Sequence, residues 1–132
     1  VETAVALLVA FPLFFTVFEL CAFAYTQALM EDAARVGVRY AMTHGIDSSS
    51  CSGPSTGCGD SSGANVASAV TTYASSLMTG LSAATVTPAW PDGSSAPPSR
   101  VVVTVTYTYA PMLSSITGSV AMSSTAEGRI VY

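Results

Sequence analysis

The sequence predicts an α+β chain with a long N-terminal helix, a second shorter helix and a small antiparallel sheet of about three strands. Three observations predict it. An uncharged apolar run, Thr3–Phe18, opens the chain and passes without a break into an amphipathic stretch that ends near Met42. A second helical stripe follows, with Val66, Val70, Tyr73, Leu77 and Leu81 three or four residues apart. The period then changes to two: Val101, Val103, Val105, Tyr107 and Tyr109 alternate with Val102, Thr104, Thr106 and Thr108.

The first helix divides in two. Ala4–Tyr25 is apolar on every side apart from Glu19, and its 22 residues rise about 33 Å, enough to cross a bilayer. A helix that is apolar all round lies in a membrane or among other helices. A cleaved signal peptide fits less well, because no basic residue precedes the run and the helical pattern continues into Thr26–Met42. Pro12 lies inside the helix, removes one backbone bond and bends it. Cys21 reads as a small buried residue. In the second half, Glu31, Arg35 and Arg39 are four apart and share one face, with Glu31 placed to pair with Arg35. Ala28, Leu29, Ala33, Val36 and Tyr40 supply an apolar face, and Gly45 is a plausible C-cap. Residues 1–25 are thus the membrane- or core-forming half, and 26–132 the head.

The head begins with the amphipathic half-helix and a Ser/Gly-rich loop, 46–63, holding Cys51 and Cys58. Their Cys-x6-Cys spacing suits a small disulfide ring, which implies an oxidising compartment. A metal site would need further ligands, and His44 and Asp60 make too thin a set. The second helix is expected over 64–81, with Asp60, Ser61 or Ser62 capping its start and Gly80 near its end. The sheet is expected over 84–132. It has a weaker strand at Thr85–Trp90, a turn at Pro91–Ser99 and the clear strand Arg100–Tyr109. A short excursion, Pro111–Gly118, follows, and then a final strand, Ser119–Tyr132, with a bulge expected near Gly128. Both helices would cover the sheet's apolar face.

Composition narrows the function. Half of the 132 residues are apolar and only 9% are charged, with a net charge of −4 and no lysine; ordinary soluble domains carry about 25% charge. No basic stripe is available to neutralise phosphates, so a nucleic-acid partner is not indicated. The chain is expected to sit in lipid or pack against copies of itself. Catalysis finds no motif. His44, the single histidine, is placed to serve the carbonyls ending the first helix. No Gly-x-Ser-x-Gly is present, and Gly57, Gly59 and Gly63 lack the lysine and strand of a phosphate loop. Trp90, Tyr107 and Tyr109 could form a ligand platform but read better as packing residues. No enzyme activity, cofactor or metal is expected.

Glu2 and Glu19 stand out physically, since a bare carboxylate in lipid needs a partner or a proton. Glu2 lies at the helix N-terminus, where the dipole favours an anion. Glu19 has no base within a turn of its own helix. Arg35 or Arg39 of a shifted neighbour, or a neighbour's Tyr25 hydroxyl, could satisfy it; otherwise it is protonated and hydrogen-bonded.

Val1-Glu2 before the apolar run, Glu19-Leu20 after it, Gln27-Ala28-Leu29, Ala33-Ala34-Arg35 and Gly37-Val38-Arg39-Tyr40-Ala41 together resemble the TadE-like family of the tight-adherence pilus system, within the type IV pilin superfamily. The resemblance is close over the first 42 or so residues and loose beyond. It implies a pilin-like fold and a structural subunit of an extracellular filament, polymerising through the apolar helix. It fits equally a minor pilin-like factor that stays in the membrane or at the tip. A non-polymerising, membrane-tethered surface-binding domain is the third reading. The resemblance further implies an inner-membrane precursor, a prepilin peptidase, the pilus assembly machinery and a contact between Glu2 and a neighbour's N-terminal amine. Two features depart from the family. Its proline lies about one turn before Pro12, and its glutamate is fifth after processing, whereas Glu2 is second. Either a few residues precede Val1 or the cut lies elsewhere.

Overall fold

The computed structural model describes residues 1–112 and 114–131. Helix α1 runs Glu2–Thr43 without a break, Pro12 included, about 63 Å long. Helix α2 spans Ala64–Leu77. A three-stranded antiparallel sheet follows in the order β1 (Thr85–Ala89), β2 (Arg100–Tyr109) and β3 (Val120–Arg129), with one helical turn, α3 (Ser114–Thr117), between β2 and β3. The fold is α+β. Leu113 of the expected excursion and Tyr132 of the expected final strand lie outside the described residues.

The strand pattern follows the alternation of β2. Val101, Val103 and Val105 are fully buried, while Thr104 faces outward and meets Thr125 of β3, Oγ1 to Oγ1, at 3.2 Å. β2 is central, so its polar backbone groups are paired on both sides. Pro88 is accommodated because β1 is an edge strand. At the α1 end of the sheet the inward residues of β3 shrink from Met122 through Ser124 and Ala126 to Gly128, opposite Tyr107, Val105, Val103 and Val101. That taper admits the helix: a Cβ on Gly128 would lie 2.7 Å from Met42 Sδ and closer still to Val38. Gly37 plays the same part on α1, where a Cβ would come within 2.5 Å of Val70 Cγ2 on α2 and 3.0 Å of Val103 Cγ1. The expected bulge at Gly128 is therefore corrected: the β2–β3 register runs unbroken from Arg100↔Arg129 to Tyr109↔Val120, and glycine is needed there for helix approach.

Other boundaries shift for physical reasons. The buried stripe of α1 is Thr26, Leu29, Met30, Ala33, Ala34, Gly37, Val38 and Ala41. It is rotated from the expected face, and Ala28 is exposed, because the smallest residues take the closest crossing. The second helix stops at Leu77, not Leu81. Met78 turns extended, and Thr79–Ala83 forms a separate 3-10 turn that alone carries Leu81 into the core. Leu77 is exposed, and Ala74 takes the buried position.

Candidate assembly surface and the stalk–head junction

The first 18 residues of α1 are exposed throughout, including Leu8 at 74% and Phe14 at 70%. This part of the helix is a stalk: α1 is long and apolar enough to cross a membrane, and none of its most apolar window is buried against its own head. Leu7, Ala10, Phe11, Leu13, Phe14 and Val17 form a continuous apolar face, and Phe11 stacks on Phe15 at 6.2 Å between centroids. Thr16 Oγ1 donates to the Pro12 carbonyl at 2.8 Å. Cys21, expected buried, is exposed on the stalk, because it lies off the face of Phe15, Glu19 and Phe23 that meets the head. Glu2 is exposed in the first turn.

Glu19 marks the junction. Both carboxyl oxygens accept: Oε2 from the Tyr109 hydroxyl at 2.9 Å, Oε1 from the Met112 backbone N–H. Its partners thus come from the end of β2 and the segment that follows it in the same chain. The Tyr109 ring also stands edge-on to Phe23, centroids 5.9 Å apart. Pro111, Thr117 and Val120 share a cleft with Phe15, Thr16 and Leu20, so the segment after β2 lies along the stalk on both sides of Glu19.

Higher on α1 the expected charges stay at the surface. Arg35 pairs with Asp32 at 3.4 Å, three residues back, in place of Glu31; both side chains are over half exposed, so the pair is worth little. Glu31 and Arg35 nevertheless border one polar groove with Gln27 and Ser123–Ala126 of β3. Arg39 is exposed.

The far end of the head is stapled. Cys51 and Cys58 form a disulfide with Cα atoms 4.9 Å apart. The ring is tied to the 91–99 turn through Ser95, whose N–H donates to Ser55 Oγ at 2.7 Å and whose carbonyl accepts from Ile46 at 3.0 Å. Trp90 packs beneath this ring beside Gly53 and Gly63. Asp60 caps α2, accepting from the N–H groups of Ala64 and Asn65 at 2.8 Å each. Burial raises its pKa, but those two N–H groups with the hydroxyls of Ser52 and Ser62 outweigh burial and leave it lowered. Asp92 accepts from the Arg100 side chain at 2.9 and 3.3 Å and from its backbone N–H at 2.8 Å. That side-chain pairing first, then the backbone bond, hold Asp92 down to about 2. His44 stacks on Tyr40 at 3.9 Å and donates from Nδ1 to the Tyr40 carbonyl at 2.8 Å, which ties it to the helix end.

Among the described residues no three His, Cys, Asp or Glu side chains gather as a metal-binding set. Sequence reasoning missed Tyr109 and the Met112 N–H as partners of Glu19. The available signal was a tyrosine ending the apolar face of the clearest strand. No protein-family model matches the chain, and neither a curated protein nor a solved structure matches it.

Proposed function

We propose that this chain is a structural subunit of an extracellular type IV-like filament of the tight-adherence, TadE-like kind, polymerising through the apolar half of α1. The observation that carries the proposal is the stalk. An exposed apolar surface of this length far exceeds what soluble monomers tolerate, since their largest patches are about 300–600 Å². A bilayer covers it before assembly, and the stalks of other copies cover it in the filament. A heterologous contact repeated along an axis gives an open polymer. Such a contact would use Glu2 near the N-terminus and the exposed Glu31, Arg35 and Arg39 as register-setting charges. The disulfide suits a head on the outer side of the membrane. The resemblance of residues 1–42 to TadE-like proteins supports the same reading, and with it the prepilin peptidase and assembly machinery as partners.

In the head Ser and Thr far outnumber charged residues, which favours a head that packs against neighbours. Hydroxyls satisfy one another there without the desolvation cost of ions. Electron microscopy of sheared surface filaments, with mass spectrometry of their protein, tests the proposal. This chain is expected as the main component. Recovery only from membranes, beside filaments built of another protein, would instead make it an assembly or anchoring factor. Absence of any filament would leave a membrane-tethered binding domain.

A further inference from the structure

We infer that the segment joining β2 to β3 is a second membrane-contacting element, with Met112 and Ile116 dipping into the outer leaflet beside the stalk. The inference rests on the membrane-inserted state proposed above and locates the head relative to the lipid.

The first argument is length. The charge-free run Thr3–Phe18 has 16 residues and rises about 24 Å, short of the roughly 30 Å of a hydrocarbon core. A full span therefore includes Glu19 and continues to about Phe23. The segment after β2 lies against that stretch, with Pro111, Thr117 and Val120 lining a cleft shared with Phe15, Leu20 and Phe23. Whatever depth Phe15–Phe23 occupies, this segment occupies too.

The second argument is polarity. Glu19 and the Met112 N–H would each be costly at that depth. They satisfy each other, and Tyr109 satisfies the second carboxyl oxygen. Around them the surface is uncharged, with large apolar side chains standing out among hydroxyls: Met112 is 72% exposed, Ile116 83% and Val120 44%, beside exposed Ser114, Ser115 and Thr117. No charge occurs from Val101 to Ala126. The charges of the sheet, Arg100, Glu127 and Arg129, lie at its opposite end, as does the Asp92 partner of Arg100. Tyr25, exposed just above, has the amphipathic ring favoured at membrane–water interfaces. A rim continuous with the stalk, bearing exposed Met112 and Ile116 and with no charge but the hydrogen-bonded Glu19, fits lipid.

The full chain, carrying Cys21→Ser to remove its free thiol and labelled without reductant, provides the test. Ile116→Cys, Met112→Cys, Ala10→Cys and Ala89→Cys variants each carry an environment-sensitive fluorophore, in phosphatidylethanolamine/phosphatidylglycerol vesicles. The expected result is quenching of sites 10, 112 and 116 by nitroxide-labelled lipid. Iodide quenching at 112 and 116 should be several-fold weaker than at site 89, at the far end of the sheet. If site 10 is lipid-quenched while 112 and 116 match site 89, the inference fails and membrane insertion stands. If site 10 is open to iodide, both fail together. If 112 and 116 are shielded from iodide and lipid alike, a second copy covers them and the lipid contact is wrong.

Discussion

At the scale of single residues, Glu19, Asp60, Asp92 and Arg100 are each held by identifiable partners. Asp92 is the clearest case. Its folded pKa is depressed to about 2 from an ordinary 3.8 by Arg100. A carboxyl with a depressed folded pKa favours the folded state above its unfolded pKa and loses that contribution as pH falls through the folded value. The stabilisation from Asp92 is therefore present above about pH 4 and fades toward pH 2. Asp92→Asn keeps an acceptor for the Arg100 N–H but not the charge. In denaturant titrations from pH 5 to 2, the gap between wild type and variant should close as pH falls. A gap of constant size would show that Arg100 contributes nothing through charge. Glu19 shows where reading residues along the chain stops. Its cost was legible, because one carboxylate interrupts a long apolar run. Its partner was not, because Tyr109 is 90 residues away and only the folded sheet brings it to the stalk. The helix itself offers Glu19 no base, which points to neighbouring subunits, whereas a hydroxyl and an amide of the same chain are nearer.

Elements were legible where one period dominates. β2 has the boundaries its alternation predicts, because a central strand with one apolar face admits no other register. The C-terminal end of α2 and the buried face of α1 were harder to read, because small residues decide them and carry little hydrophobic signal. Ala33, Ala34, Gly37 and Ala41 are buried because they let α1 approach β2, β3 and α2. Gly128 belongs to the same group: read along the strand it suggested a bulge, and in three dimensions it is a seat for α1. Adding its missing methyl should overpack this crossing and cost about 1–3 kcal/mol. Met42 can yield, since its thioether is flexible, but Val38 is stiff and fixed on the helix. We therefore expect Gly128→Ala to destabilise the head in denaturant unfolding, and Val38→Ala to reduce the cost of the added methyl. A double variant whose loss equals the sum of the two single losses would show that Gly128 and Val38 do not compete for one space.

For the whole molecule, the division between stalk and head follows from where burial begins. The buried stripe of α1 starts at Thr26, and every residue before Glu19 is exposed. The head core therefore needs none of the first 18 residues, and the low overall charge separates into an apolar stalk and a hydroxyl-rich head. Glu19 hydrogen-bonds the head from the lower helix, so the two parts should come apart in a specific way. A chain beginning at Thr16 keeps the clasp, and one beginning at Ala22 loses it. Both should fold, because the helix–sheet core and the disulfide are intact in each. The shorter chain should unfold a few degrees lower, and its local loss should be confined to the end of β2. Hydrogen exchange reads this directly: the Met112 amide, bonded to Glu19 in the intact chain, should be protected in the longer form and exchange freely in the shorter. Protection of the β2 valines should be the same in both, since their partners lie within the sheet. If the Ala22 form fails to fold, the stalk is not separable from the head; if both fold and Met112 exchanges equally, Glu19 does not join them.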